Sequence, residues 1–118
     1  MKNKVVINQI SNSMFRLSDE AIIEIIKRKN KNKTVEIDDC KIFINGEEFN
    51  DIFSFCETIP RHDPILIQVI EEMGEDAETE YTSLQIEEIE GNKYLIWESE
   101  CGEKIILPNN IEWKIIEK

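Results

Sequence analysis

The sequence predicts one α+β domain over residues 1–118, with two helices packed on a mostly antiparallel sheet and a β-meander at the C-terminus. Two segments have apolar residues at helical spacing behind good N-caps. Strand-like segments cluster after the second helix and are joined by short turn signals, which is typical of α+β order. With 118 residues, 41% of them hydrophobic, the chain can close one core without a disulfide or metal.

The first predicted helix follows a short β-branched strand at residues 4–8. Ser18 is a good N-cap, and Leu17 with Ile22 has the spacing of a hydrophobic staple. The stripe continues through Ile25 and Ile26. The helix is expected to end in a basic run at residues 27–33, where cations complement the negative end of the helix dipole.

A β-hairpin is predicted around Asn45-Gly46, because a type I′ turn needs positive φ at both central residues. Alternation at residues 34–38 and 41–44 predicts two strands, and Phe49 falls on the returning strand. Residues 51–58 leave two alternatives open, since their periodicity fits either a strand or a helical turn.

The second predicted helix begins at Asp63-Pro64, where Asp caps and Pro takes the first helical position. Its apolar stripe reaches Met73, and Gly74 supplies the stop. Four strands are then predicted, separated by Gly, Asn and Pro turn signals: residues 83–89, 94–98, 103–107 and 111–116.

The charge distribution argues against direct nucleic-acid or membrane binding. Residues 1–45 hold nine Lys or Arg and six Asp or Glu, net +3, and residues 46–118 hold five and nineteen, net −14, which together give −11. Such a field repels polyanions. The chain also lacks a signal peptide and an apolar run of membrane-spanning length, which predicts a cytoplasmic location in a host cell.

The three cysteines and the single histidine lack zinc-site spacing, so no metal or other cofactor is predicted. No serine or cysteine lies near His62 in sequence to act as a nucleophile, and phosphate-loop and dinucleotide signatures are missing. The sequence therefore favours a protein that is not an enzyme.

The densest polar cluster is Arg61-His62-Asp63, between two prolines. Arg61 and His62 at a helix N-terminus are candidates for binding a small anion such as a nucleotide. Arg16 is a further candidate, with Phe15 or Trp97 stacking on a base. In the alternative, Asp63 is simply a cap, Arg61 pairs with an acid and His62 is exposed.

Two charged segments and one strand suggest possible partners. Two charged segments leave two alternatives open: the basic run 27–33 and the acidic stretch 71–80 are each either solvated surface or part of an interface with a partner. If the acidic stretch binds a basic host protein, the contact residues are expected to be Glu71, Glu72, Glu75 and Asp76. Strand alternation places Trp97 on the opposite face from Tyr94 and Ile96. A meander covered on both faces by a second subunit would explain this, which predicts a homo-oligomer.

Several segments together suggest a family. They are Val5-Val6-Ile7-Asn8, Leu17-Ser18-Asp19-Glu20-Ala21, Pro60-Arg61-His62-Asp63-Pro64-Ile65-Leu66, Glu71-Glu72-Met73-Gly74, Ile86-Glu87-Glu88-Ile89 and Glu100-Cys101-Gly102-Glu103. In these, the chain resembles a family of small uncharacterised phage and prophage proteins. They cover about half the chain, and the Arg-His-Asp-Pro stretch is the specific part.

The chain departs from that family between the first strand and helix. The family has a Cys-Tyr-Gly-Gly-Phe-Gly loop there, whereas residues 9–16 of this chain keep only Phe15 of it. The resemblance implies a phage origin and a counter-defence protein that acts by binding. Two roles are expected as alternatives: sequestering a small anionic nucleotide signal, or blocking the basic nucleic-acid groove of a host defence protein.

Overall fold

A computed structural model describes residues 2–10, 14–99 and 102–106, and within them the chain forms an α+β fold of three helices and seven strands. In chain order the elements are β1 (Lys2–Asn8), α1 (Asp19–Lys29), β2 (Val35–Asp38), β3 (Lys41–Ile44), β4 (Glu47–Asp51), α2 (Ile52–Thr58), α3 (Pro64–Met73), a 3-10 turn (Gly74–Ala77), β5 (Leu84–Glu90), β6 (Leu95–Ser99) and β7 (Gly102–Ile106).

The predicted start of α1 is confirmed by its cap. The Ala21 N–H donates to Ser18 Oγ at 3.1 Å, which satisfies one of the four N–H groups that a helix start leaves without an internal partner. Leu17 and Ile22 are both fully buried, as expected of a hydrophobic staple. The sequence signals around Ser18 therefore fix both the first residue of α1 and its buried face.

The ambiguous segment 51–58 is helical. Asp51 caps α2 by accepting from the Ser54 N–H at 2.8 Å, an interaction that lowers the pKa of Asp51. Ile52 and Cys56, one helical turn apart, are both buried, whereas Phe53 between them is exposed. Two buried residues four positions apart, directly after an N-cap Asp, are the signal that indicates a helix.

The predicted limits of α3 are also confirmed. Pro64 occupies the first helical turn behind the cap residue Asp63. Gly74 ends the helix with a φ of 59°, a value that side chains with a Cβ adopt only at a cost. The 3-10 turn follows directly.

The strands form three antiparallel ladders instead of one predicted sheet: β1 with β5, β2-β3-β4, and β6 with β7. Asn45 and Gly46 have φ of 52° and 84°, which confirms the predicted hairpin between β3 and β4. The predicted C-terminal meander was wrong at β5, which pairs with β1 and not with β6, and among the described residues β6 and β7 form the hairpin part of it. The predicted strand at 111–116 lies outside the described residues.

The core lies where α1 and α3 pack on each other and on β1. Its fully buried members include Val6, Leu17, Ile22, Ile25, Ile42, Leu66 and Val69. This packing fixes the start of α3 against β1, where the Val6 N–H donates to the Arg61 carbonyl at 2.9 Å. Within the described part of the chain, no helix is long and apolar enough to cross a bilayer.

Candidate functional site

A groove of about 490 Å³ lies between β1, the start of α3 and the turn that leads into β6. The groove is lined by Lys2, Asn3, Lys4, Val5, His62, Pro64, Ile67, Ile89, Asn92 and Tyr94. Its size falls in the usual range for small-molecule sites.

The base of the groove is apolar. Val5 is fully buried, and Ile67 and Ile89 are 8% and 6% exposed. Asn3 is paired with Ile89 across the β1–β5 ladder, and Val5 follows two residues later on the same face. The α3 contribution, Pro64 and Ile67, is spaced by three and shares one helix face. An apolar base with a polar rim is the usual composition of a ligand site.

His62 and Tyr94 form an aromatic corner on the rim of the groove. Their rings are edge to face, with centroids 5.7 Å apart and planes at 79°, and His62 Nδ1 lies 2.7 Å from the Tyr94 hydroxyl. The Tyr94 phenol is protonated at neutral pH in any case, and burial raises its pKa further. A protonated phenol can donate to Nδ1 of a neutral imidazole, which then carries its hydrogen on Nε2.

Two lysines line the same groove, and carboxylates accompany both. Lys4 Nζ donates to Glu71 Oε2 at 2.5 Å, and this hydrogen bond and its charge raise the pKa of Lys4. Glu88 stands opposite Lys4 in the β1–β5 ladder, and Glu90 stands opposite Lys2. The two ammonium groups therefore make this part of the rim cationic, and the nearby carboxylates offset part of that positive charge.

Arg61, the neighbour of His62, is directed away from the groove into a buried ion pair. Its two terminal nitrogens donate to the two Glu103 oxygens at 2.6 and 3.0 Å, and the Asn8 N–H donates to the same carboxylate at 2.7 Å. The side chains of Arg61 and Glu103 are only 18% and 6% exposed. The Arg61 charge is thus engaged by a carboxylate and is not offered to a ligand.

The N-terminus of α3 is also occupied, by the carboxylate of its own cap residue Asp63. Ile65 and Leu66 N–H donate to Asp63 Oδ1 at 2.9 and 3.1 Å, and Lys29 Nζ donates to Oδ2. Burial by itself would raise the pKa of Asp63, but Lys29 and the two N–H groups bring it below its ordinary value. Asp63 is the anion bound at this helix end.

The other predicted ligand residues lie elsewhere. Phe15 is 7% exposed, and the Arg61 guanidinium stacks 3.8 Å from its ring centroid. Arg16 stacks at 4.6 Å on Phe53. Trp97 is 59% exposed on β6. None of these three residues lines the groove. Of the five residues predicted to bind a ligand, only His62 lines it. Arg61 and Phe15 instead contact each other outside the groove.

Most groove residues escaped sequence reasoning because they come from distant segments. Lys2 and Lys4 alternate on β1, a pattern that also suits a solvated strand face. The sequence suggests that Tyr94, together with Trp97, lines either a pocket or an oligomer interface, without a preference between the two. Val5 meets Ile67 and Ile89 only through the β1–β5 pairing and the position of α3. The one usable signal for Tyr94 was its aromatic ring, and the structure places it just before β6 and not within the predicted strand 94–98.

The chain matches no protein-family model, and no curated protein or solved structure is similar enough to indicate a family. The resemblance to phage and prophage proteins stays a prediction. Among the described residues, no group of three or more His, Cys, Asp or Glu is arranged to hold a metal ion.

Proposed function

We propose that this protein is a binding protein that holds a small anionic ligand with a flat ring, such as a nucleotide, in the groove between β1, α3 and Tyr94. The observation that carries the proposal is the juxtaposition of the His62–Tyr94 aromatic corner, two lysines and an apolar base in one cavity of about 490 Å³. Aromatic faces suit a base, and ammonium groups suit a phosphate.

Each part of the groove contributes a different contact in this proposal. Val5, Ile67 and Ile89 exclude water under the ring, while His62 and Tyr94 contact its face or edge. Lys2 and Lys4 attract the anionic group, and the amides of Asn3 and Asn92 are hydrogen-bonding groups for polar edges. This arrangement replaces the Arg61, Arg16, Phe15 and Trp97 contacts expected from sequence.

Binding without chemical conversion fits the residues that line the groove. Among the described residues that do so, none is Ser, Thr, Cys, Asp or Glu, so these residues supply neither an ordinary nucleophile beside His62 nor a carboxylate base. We therefore propose a protein that is not an enzyme. Recovery of chemically unchanged nucleotide after incubation with the protein supports this, and accumulation of a product contradicts it.

A thermal-shift and calorimetry screen of linear and cyclic nucleotides tests the proposal. A ligand present at 100 times its Kd is expected to stabilise the folded protein by about 2.7 kcal/mol. No stabilisation by any nucleotide in the screen would contradict the proposal.

Tyr94→Ala with Trp97→Ala as its matched control locates the site. Both residues are aromatic and belong to the same hairpin region, but only Tyr94 lines the groove. We expect Tyr94→Ala to weaken nucleotide binding by roughly tenfold or more, from the loss of one aromatic contact. Trp97→Ala is expected to leave it unchanged, and the reverse result would restore the stacking role that sequence reasoning gave Trp97.

A second candidate function is supported by exposed carboxylates after α3. Glu71 and Glu72 pair with Lys4 and Arg28, whereas Glu75 and Asp76 are exposed in the 3-10 turn. Blocking a basic groove of a host protein would use this end of the acidic stretch. The double variant Glu75→Lys, Asp76→Lys should abolish salt-sensitive inhibition of a basic nuclease, and unchanged inhibition would remove this candidate.

The biological role remains the one that the resemblance implies. A phage counter-defence protein that sequesters a nucleotide signal needs tight binding and no turnover, which the proposed groove is suited to supply. The same resemblance supports a cytoplasmic location in the host. Homo-oligomerisation is a separate proposal, and native mass spectrometry reports it together with any retained nucleotide.

A further inference from the structure

We infer, resting on the proposed function, that the groove selects ligands with a single phosphate-like group over polyphosphates, and that the Lys4–Glu71 pair sets this preference. Three features support this inference: the pairing of Lys4 with Glu71, the carboxylates opposite the lysines in the β1–β5 ladder, and the net charge of the whole chain.

The first feature is that Lys4, one of the two lysines that line the groove, is already paired with a carboxylate. Lys4 and Glu71 are joined at 2.5 Å, with side chains 42% and 44% exposed. A carboxylate at this distance cancels most of the attraction that Lys4 exerts on a second anion. A ligand with one anionic group can be held mainly by Lys2, whereas each further phosphate gains little from Lys4, whose charge Glu71 already compensates.

The second feature is the row of acids on β5. Glu88 and Glu90 stand opposite Lys4 and Lys2 in the antiparallel register, and the Glu88 charge helps to raise the pKa of Lys4. Cross-strand partners lie about 5 Å apart, well inside the Debye length at physiological salt. Each additional phosphate charge near the lysines therefore also approaches a carboxylate.

The third feature is the field of the whole molecule. The chain carries a formal net charge of −11, so a highly charged ligand is repelled before it reaches the groove. Neighbouring cations such as Arg61 and Lys29 do not offset this locally, because Glu103 and Asp63 engage them. The positive charge of the groove therefore suffices for one anionic group, whereas the surrounding negative charge repels a ligand with several phosphates.

The test compares AMP, ADP and ATP binding to the full chain by calorimetry in magnesium-free buffer at fixed ionic strength. We expect affinity to fall along this series, with AMP bound roughly tenfold more tightly than ATP. If none of the three binds and no other nucleotide of the screen does, the proposed function itself fails. If ATP binds as tightly as AMP or more tightly, only the single-phosphate inference is overturned.

Glu71→Gln identifies the pair responsible, and Glu72→Gln is its matched control. Both changes remove one negative charge from adjacent positions of α3, but Glu71 pairs with the groove residue Lys4, whereas Glu72 pairs with Arg28 on α1, which does not line the groove. We expect Glu71→Gln to reduce the AMP-over-ATP preference by about threefold or more, and Glu72→Gln to leave it unchanged. Equal ratios in both variants would overturn the role of the Lys4–Glu71 pair.

Discussion

Arg61 and His62 are adjacent in sequence, yet they belong to two regions with opposite character. On one side, Arg61 is enclosed between Phe15 and the Glu103 carboxylate, and both of its terminal nitrogens are engaged. On the other side, His62 is exposed beside Tyr94 at the rim of an open groove. The comparison teaches that a cation beside a helix start is a ligand-binding candidate only after its partners are known.

The two regions are also linked, because the β6–β7 hairpin region contributes to both. Glu103 on β7 holds the buried pair, and Tyr94 just before β6 forms the groove rim. In the β6–β7 ladder Glu103 stands opposite Glu98 near the turn, whereas Tyr94 precedes Leu95 at the open end of the hairpin. The buried pair therefore ties the turn end of the hairpin to Asn8 and Arg61, while Tyr94 contacts His62 at the other end of the hairpin.

The largest effect is expected from Glu103→Ala, which breaks the buried pair. Removing one partner leaves a largely buried guanidinium uncompensated, so we expect a loss of about 3 kcal/mol or more in the free energy of unfolding. Urea unfolding measures it. Replacing both Arg61 and Glu103 with Met should be less damaging than the single change, although the Asn8 N–H loses its carboxylate acceptor. A double variant as unstable as the single one would contradict a purely structural pair.

A somewhat smaller loss is expected from Gly102→Ala, at the start of β7. Gly102 has a φ of 104°, and an added Cβ would lie 2.3 Å from the Gln9 carbonyl oxygen, so the backbone must shift. We expect a cost of about 2 to 3 kcal/mol, measured by thermal unfolding. Gly46→Ala, at a positive φ but with nothing within 4 Å of the added Cβ, is the control for conformational strain alone. Equal losses in both variants would show that the close approach to Gln9 is unimportant.

A loss of about 1 to 2 kcal/mol is expected from Asp63→Ala, which removes the cap of α3. Because the folded-state pKa of Asp63 lies below its ordinary value of 3.8, its stabilisation is present above that pH and disappears as the pH falls through the lower folded-state value. The difference between wild type and variant should therefore shrink in acid. Ser18→Ala, which removes the non-titrating cap of α1, should show a loss that does not change with pH in this way.

The smallest effect is expected from Tyr94→Phe, which keeps the ring and removes the hydroxyl. The hydrogen bond to His62 is exposed, so stability should change by less than about 0.5 kcal/mol. Nucleotide affinity should fall by only about threefold, since the aromatic face remains while His62 loses its orienting partner. A loss as large as that of Tyr94→Ala would show that the hydroxyl contacts the ligand directly.

Local signals predicted much of the fold. The caps Ser18 and Asp63 and the Asn45-Gly46 turn act over a few residues, so the sequence contains the whole of their physics. The pairing of β1 with β5 joins residues about 80 positions apart and depends on how α1 and α3 close the core. The periodicity within a strand does not specify its partner strand. Without that information, the meander prediction placed β5 beside β6, its neighbour in sequence.

The site was less predictable than the fold for the same reason. Arg61 and Glu103 are 42 positions apart, and in a chain with 25 acidic residues nothing in the sequence selects Glu103 as the partner. His62, a predicted ligand-binding residue, lines the groove, but the cavity beside it arises from β1, α3 and the turn before β6 together. The alternative in which Asp63 is a cap and Arg61 pairs with an acid describes that side of the molecule.

Nuclear magnetic resonance of the side chains during an AMP titration tests the contrast between the two regions most directly. His62 is the single histidine of the chain, so its imidazole signals are assigned without ambiguity. We predict that the His62 ring signals shift in a saturable way while the Arg61 guanidinium signals, protected by Glu103, stay in place. A saturable shift of Arg61 with His62 unmoved would show that the ligand enters the buried pair instead of the groove.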